Sequence, residues 1–356
     1  MVPELGVIEG YFGRPWRHDA RKQVIARLRQ IGYSFFHYAP KADEFLRRRW
    51  RESHPDEALD ELAELSAHCR SLGMRFGVGL SPYELYRDLG GVSRKEFAAK
   101  VRTLDELGID ELAILFDDTR GDIPDLAARE AEIVHLALAN TRAGRVLMCP
   151  TYYSDDHMLD VTFGARPRGY LEELGRRLDP RVGVYWTGEE ICAREHSAGH
   201  LARVGESLGH KPTLWDNYPV NDGPRMSRFL HLRGFTGRPS VIGPLVAAHA
   251  INPALQPHLS LIPAATLAAS YREGTAYCYM SAFRTAARAW AGDTLAIMLE
   301  TDLHDMQDRG IDQLGEVRER LRRRYAALDH PIATEVVRWL DGADTVSGWV
   351  EELDRS

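Results

Sequence analysis

Glu111-Leu112-Ala113-Ile114-Leu115-Phe116-Asp117-Asp118 is the stretch on which the fold of this chain turns. Its fully apolar run predicts a strand. The run stops at two adjacent carboxylates. On its amino side a helical pattern covers 93–107, with Ser93 as a candidate cap and Gly108 as the stop. On its carboxyl side a helix is expected over 123–141. Helix, buried strand and helix in succession belong to an α/β architecture.

The same unit recurs in both directions. Strands are expected over 5–10, 33–38, 74–80, 111–116, 145–150, 182–186 and 212–217, with an eighth inside 240–250. Helices are expected over 17–31, 55–72, near 168–177, 188–208, 226–232 and over 259–272. Eight β-then-α units in about 270 residues suit a closed (β/α)8 barrel, whose typical size is about 250 residues. A doubly wound open sheet shares the alternation, but the count of eight and the lack of an early GxGxxG favour closure. From about 276 onward strand signals cease, and helical patterns cover 282–306, 315–328 and 333–340. The expected fold is therefore α/β: a (β/α)8 TIM-like catalytic barrel over 1–275, then a C-terminal α-helical region over 276–356. The pattern leaves open whether that region lines a site, forms a homodimer or packs on the barrel.

Composition narrows the function. The 356 residues include 45 basic and 52 acidic side chains, a net charge of −7, which argues against a nucleic-acid partner. Hydrophobic residues at 44% and charged ones at 27% are ordinary for a soluble globular protein. No apolar run approaches the roughly 18–20 residues of a membrane span. Met1-Val2-Pro3-Glu4-Leu5 lacks a basic region followed by an apolar stretch, so no secretory signal is expected. Cys69, Cys149, Cys192 and Cys278 form no CxxC pair, so buried thiols are expected rather than a disulfide framework or zinc cluster. A cytoplasmic location follows from these readings. Lysine is rare: only Lys22, Lys41, Lys95, Lys100 and Lys211 occur.

In a (β/α)8 barrel chemistry lies at the carboxyl ends of the strands. Those ends collect residues that do not belong in a core. The first ends in Glu9-Gly10-Tyr11-Phe12-Gly13-Arg14-Pro15-Trp16 and the second in Tyr38-Ala39-Pro40-Lys41. The fifth ends in Thr151-Tyr152-Tyr153, the sixth in Trp186-Thr187-Gly188, the seventh in Trp215-Asp216-Asn217 with Asn221-Asp222, and the eighth in Asn252-Pro253. Aromatic rings pack on the apolar faces of sugars, while amides and carboxylates bind hydroxyls. Asp117-Asp118 is the sharpest feature. Two carboxylates held together cannot both ionise freely, so one is expected to keep its proton. Taken alone, the dipeptide is more often a solvated loop or a helix cap. A divalent-metal site is weakened because the neighbouring ends offer aromatics and amides rather than further metal ligands.

Adjacency also limits the mechanism. Two-carboxylate glycosidases flank the scissile bond with groups about 5–10 Å apart. Sequence neighbours suit instead a substrate-assisted route, in which the sugar's own 2-acetamido oxygen attacks. One aspartate then polarises the acetamido N–H and the other protonates the leaving oxygen.

The strand-end blocks, in this order, resemble the catalytic domain of glycoside hydrolase family 84, which contains the O-GlcNAcases and related bacterial β-N-acetylglucosaminidases. The resemblance spans about 5–272. It implies that Asp117 polarises the acetamido group and that Asp118 is the general acid and then base. It implies sugar contacts from Gly10 through its carbonyl, Lys41, Tyr153, Thr187, Asn217, Asp222 and Asn252, with Trp215 as a wall of the acetamido pocket. The reaction implied is retaining, through an oxazoline, with no metal and no cofactor. Three departures stand out. The family usually reads Gly-Phe-Tyr-Gly where this chain has Gly10-Tyr11-Phe12-Gly13. Tyr152 stands where a Glu is often found, and Gly223 follows Asp222 where the animal enzymes place an aromatic.

The bland alternatives are these. Lys41 could be a surface lysine, although its rarity and strand-end position favour a ligand. Trp16 and Arg14 are expected to close the first loop, and Cys149 to be buried near the site. His196 and His200 lack an HExxH context, so a solvated or capping role is expected. Asp122 and Asp125 are expected to start the next helix, and the charge run 318–324 to be a solvated helix face. The function expected is a retaining β-N-acetylglucosaminidase, O-GlcNAcase-like, acting on β-linked GlcNAc that includes glycosylated protein. The alternatives are the same chemistry on a bacterial glycan or free oligosaccharide, or a GlcNAc-binding protein without turnover.

Overall fold

The computed structural model describes residues 2–117 and 119–346. Asp118 lies outside the described residues, as does the end of the expected helical region. Eight strands form a closed barrel: β1 (Glu4–Glu9), β2 (Tyr33–Tyr38), β3 (Arg75–Leu80), β4 (Glu111–Leu115), β5 (Arg145–Cys149), β6 (Gly183–Trp186), β7 (Thr213–Asp216) and β8 (Ala248–Ile251). Each pairs in parallel with the next, and β8 returns to β1 through Leu5 opposite His249 and Val7 opposite Ile251. The lack of alternation in β4 is explained by its two covered faces. Leu112 and Ile114 join the large apolar layer between barrel and helices. Ala113 and Leu115 point inside with Ile8, Phe35, Ala39, Leu147, Cys149, Tyr185, Trp215 and Ala250.

Large and small residues are matched across that interior. A Cβ on Gly77 would lie 2.4 Å from the His37 ring, so the bare glycine makes room for it. His37 holds the floor of the barrel: its ring meets Glu111 at 2.5 Å and the Tyr185 hydroxyl at 2.6 Å. Burial alone would raise the Glu111 carboxyl, but His37 and Arg75 hold it at about 2.

The expected helices between strands are present with shifted ends. The helix after β3 runs Gly91–Glu106 and is capped at Gly90; Ser93, the expected cap, instead donates to Asp88 at 3.0 Å. The stretch 188–208 is helical only over Ala198–Leu208, where Ser197 accepts from the His200 amide. The weak signal at 226–232 reduces to Gly223–Met226, and His157–Phe163 is a helix that the pattern did not show. Residues Ser240–Leu245 form a 3-10 turn, and only Ala248–Ile251 pair as β8. Pro244 has no N–H for a ladder, which explains the late start. Asp125 precedes the helix Leu126–Asn140 without a side-chain cap, and Asp122 pairs with Arg120 instead.

The last barrel helix, Pro257–Glu273, is shared. Its Leu259 and Ile262 join Phe283, Leu299, Leu321, Tyr325 and Trp339 in a second apolar cluster. The C-terminal helices Tyr279–Thr301, Glu316–Ala326 and Pro331–Leu340 supply most of that cluster. The first of them is interrupted at Gly292, whose φ of 73° is left-handed. Glu335 reaches back and accepts from the amides of His258 and Leu259, both at 2.9 Å. It thereby satisfies first-turn donors of the barrel helix that have no partner within the helix. In the charge run Arg320, Arg323 and Arg324 are exposed, and Arg322 pairs with Asp341 at 2.6 Å, Arg323 with Glu319 at 3.2 Å and Arg324 with Asp302 at 3.1 Å. Among the described residues no helix is long and apolar enough to cross a membrane.

Candidate active site

Side-chain direction along a strand has a period of two, and that period builds the site. Gly10, Lys41, Asp117, Thr187, Asn217 and Asn252 each stand two residues beyond an inward-facing residue: Ile8, Ala39, Leu115, Tyr185, Trp215 and Ala250. The expected site residues from strands one, two, four, six, seven and eight therefore meet at one mouth.

At its centre is an ion pair. The Lys41 ammonium is bonded to Oδ2 of Asp117, with both side chains nearly excluded from water at 2% and 11% exposure. The ammonium lies 5.8 Å from the centroid of the Phe12 ring and 6.0 Å from that of Trp215. A buried pair of this kind holds a negative carboxylate in a fixed direction at the end of β4. Arg47 braces the loop from outside, donating to the Lys41 carbonyl at 3.3 Å.

The seventh and eighth strand ends are tied to the first. Asn217 Oδ1 accepts from Trp215 Nε1 at 3.1 Å and from Asn252 Nδ2 at 3.0 Å. Asn252 Oδ1 in turn accepts from the Gly10 amide at 3.2 Å. Asn217 Nδ2 donates to the Ile191 carbonyl at 2.8 Å. The two asparagines thus spend much of their bonding capacity on holding the Trp215 ring and the β1 end in register. Trp215 also meets Tyr185 edge-on, with centroids 5.4 Å apart.

Asp222 lies at the rim, where its Oδ2 accepts from the Phe12 amide at 2.8 Å. Tyr153 is half-buried against the inner cluster. The Thr187 hydroxyl is turned into the wall, donating to the carbonyls of Tyr153 at 3.4 Å and Glu190 at 3.3 Å.

The exchange of Tyr11 and Phe12 relative to the family pattern has a clear consequence. Tyr11 is fully buried, and its hydroxyl donates to Glu9 at 3.0 Å. Phe12 takes the inner position beside Lys41 and brings no hydroxyl there. Trp16 closes the first loop through a bond to the Ala254 carbonyl at 2.9 Å. Gly10 is required by close approach, since a Cβ there would sit 2.3 Å from Cζ2 of Trp215. Gly10→Ala is expected to displace the Trp215 ring and raise KM at least about tenfold, at about 1–3 kcal/mol of stability. Steady-state kinetics and a thermal melt check both parts.

Some expectations are corrected. His196 and His200 are buried, not solvated: His200 accepts from Trp186 Nε1 at 3.0 Å, and His196 sits 3.4 Å from Asp216. Cys69 and Cys149 are buried, but Cys192 and Cys278 are exposed. Asp216 is the residue the sequence reading passed over. Its place in the strand turns it outward, where it is 1% exposed and held by both arms of Arg238, at 2.6 and 2.8 Å. His196, Asp216 and His249 have metal-like spacing, with ligand atoms within 4.8 Å of one another. The guanidinium already neutralises Asp216, however, so the cluster reads as a structural ion pair with histidines around it.

A closed parallel barrel whose carboxyl end sets a buried carboxylate among aromatic rings and amides is the architecture of the barrel glycosidases. A family model described as beta-N-acetylglucosaminidase matches residues 5–302. The chain belongs to that family. It is 27% identical over 282 residues to Protein O-GlcNAcase of Rattus norvegicus and, equally, to that of Mus musculus. The match covers 75% of this chain and 30% of each relative, so the chain spans under a third of their length. In structure it is similar to a mutant of the Thermobaculum terrenum O-GlcNAc hydrolase, with a TM-score of 0.79 and 25% identity. That similarity covers 96% of this chain and 81% of the other.

Proposed function

We propose that this chain is a retaining β-N-acetylglucosaminidase that removes terminal β-linked GlcNAc by substrate-assisted catalysis. The observation that carries the reading is the Lys41–Asp117 pair. A carboxylate held against a buried ammonium is negative and rigid, which suits it to orient and polarise the acetamido N–H. The acetamido oxygen then attacks the anomeric carbon as the leaving oxygen departs with a proton from Asp118. That step forms an oxazolinium ion, which becomes the oxazoline as Asp117 takes its N–H proton; water then opens the ring with Asp118 as base while Asp117 returns that proton, so configuration is retained. Asp118 receives its role from the resemblance to glycoside hydrolase family 84, which implies the general acid and then base at that position. Trp215 walls the acetamido pocket, Tyr153 and Thr187 line it, and Gly10, Lys41, Asn217, Asp222 and Asn252 serve the sugar hydroxyls.

The reading assigns catalysis to 1–275 and a packing role to the described part of the helical region, 276–346, in a cytoplasmic protein. Terminal GlcNAc on protein is the substrate class favoured, because the curated relatives are protein O-GlcNAcases. The test compares an aryl β-GlcNAc with the matching β-glucoside. Hydrolysis of the first, with at least about a hundredfold preference over the second, is expected. Equal rates would remove the acetamido group from the mechanism. A GlcNAc-bearing peptide set against a chitobiose substrate then separates protein from free-glycan substrates. Binding of GlcNAc with no turnover would leave only the binding-protein alternative.

A further inference from the structure

A second carboxyl sits behind the site and takes no part in the chemistry above. Glu130, on the helix Leu126–Asn140, is 0% exposed. Its Oε1 lies 2.7 Å from the Thr151 hydroxyl and accepts from the Thr151 amide at 3.0 Å. Its other oxygen meets the Tyr170 hydroxyl. Thr151 Oγ1 lies 2.6 Å from Thr119 Oγ1, which lies 2.7 Å from the Phe116 carbonyl. Phe116 and Thr119 bracket the turn that carries Asp117, and the Thr119 amide closes it on the same carbonyl at 3.1 Å.

The hydrogens can be counted. Four short oxygen–oxygen contacts run in series: Tyr170 to Glu130, Glu130 to Thr151, Thr151 to Thr119, and Thr119 to the Phe116 carbonyl. Each needs one hydrogen between its oxygens. Tyr170, Thr151 and Thr119 supply one each, which is one too few. A proton on Glu130 completes the set. Glu130 then donates to Thr151, Thr151 to Thr119, and Thr119 to the Phe116 carbonyl, while Tyr170 donates to the second carboxyl oxygen. With Glu130 ionised, Thr151 donates to the carboxylate and one link between Thr151, Thr119 and the Phe116 carbonyl is left without a hydrogen, so the chain from Glu130 to the turn is broken.

We propose that Glu130 is a positioning residue for the Asp117 turn: in its protonated form it heads a donor chain, through Thr151 and Thr119, that fastens the Phe116 carbonyl. The surroundings agree. Complete burial raises the Glu130 carboxyl to about 7, against the lowering effect of its hydrogen bonds. Among the described residues the titratable groups that face it are Tyr170 from the helix Tyr170–Arg177, Cys149 at the end of β5 and Tyr152 just beyond it. Burial drives the Tyr170 hydroxyl well up, and Tyr152 is pushed up to about 12, so both stay neutral near pH 7. Among the described residues no cation is hydrogen-bonded to Glu130. The turn therefore tightens below neutral pH and slackens above it.

This rests on the proposed hydrolase reading for its kinetic effect but not for its structural one, so two measurements are made. Hydrogen–deuterium exchange of the peptide 112–121 is followed at pH 6 and pH 8, corrected for intrinsic rates. Wild type should lose protection at pH 8 by about fivefold, the scale of one hydrogen bond. Glu130→Gln carries an amide hydrogen at both pH values and should show no such difference. The pH profile of kcat/KM on an aryl β-GlcNAc should drop by a similar factor through pH 7 in wild type and less in Glu130→Gln. Should that variant fail to fold, Thr119→Val removes the last link and should also abolish the pH-dependent protection. Wild-type exchange that is equal at the two pH values, or Glu130→Gln profiles superimposable on wild type in both measurements, would overturn the proposal. Absence of hydrolysis in wild type defeats the hydrolase reading alone, because the exchange result still decides this one.

Discussion

Asp117→Asn should lower kcat on an aryl β-GlcNAc by about 10²–10³-fold. The reason is electrostatic. The amide cannot supply the negative charge that the Lys41 ammonium now holds against the end of β4. The loss should be similar for good and poor leaving groups, because polarising the acetamido group does not depend on the departing oxygen. Asp118→Asn should differ: if that residue is the acid, its loss shrinks as the leaving group improves. Asp117→Asn also removes a charge partner of the buried Lys41 ammonium, at a cost of up to about 3–5 kcal/mol. Adding Lys41→Met should recover much of that stability without recovering activity. Kinetics across a leaving-group series, with thermal melts of the single and double variants, check all of this. A kcat within about threefold of wild type for Asp117→Asn would defeat the assignment.

Asp216→Ala should be the most damaging change to stability outside the site, at about 3–5 kcal/mol. Asp216 accepts from Arg238 Nη2 at 2.6 Å, Arg238 Nε at 2.8 Å and His249 Nε2 at 3.0 Å. Without it the buried guanidinium has no paired carboxylate among the described residues. The damage should also reach the site. Arg238 donates to the carbonyls of Ala193 at 2.8 Å and Arg194 at 2.5 Å, and so pins the loop after β6. That loop offers the Ile191 carbonyl to Asn217. KM should therefore rise along with the loss in melting temperature.

The sign of the pH effect follows from the direction of the shift. Burial would raise the Asp216 carboxyl, but Arg238, His196 and His249 bring it well below its usual value. Its contribution is complete above the unfolded value of about 3.9 and is lost as pH falls further. Acid melts should show that loss in wild type and not in Asp216→Ala.

How far the residues alone carry the reading differs between parts of the molecule. The apolar run before Asp117 was enough for a strand, and eight repeats of the unit were enough for closure. Helix ends were less legible, because caps depend on local geometry. Ser93 looked like a cap until Asp88 claimed its hydroxyl. The stretch 188–197 looked helical, although its backbone is held as a loop by Arg238, far along the chain. His196 and His200 read as solvated or capping because nothing in sequence reveals that Asp216 and Trp186 face them.

The site divides in the same way. Strand-end position and a period of two place Gly10, Lys41, Asp117, Asn217 and Asn252 at one mouth, since both are local properties of a chain in a barrel. Local pattern also separates Trp215, facing in, from Asp216, facing out. Partners are another matter. That Lys41 meets Asp117 across β2, β3 and β4, that Asn217 and Asn252 lock Trp215 to Gly10, and that Glu130 reaches the Asp117 turn through two threonines are long-range facts. They depend on which strands become neighbours and how deeply each group is buried. Burial, in turn, sets which charges must be paired and which carboxyls keep a proton, and that is decided only once the barrel has closed around them.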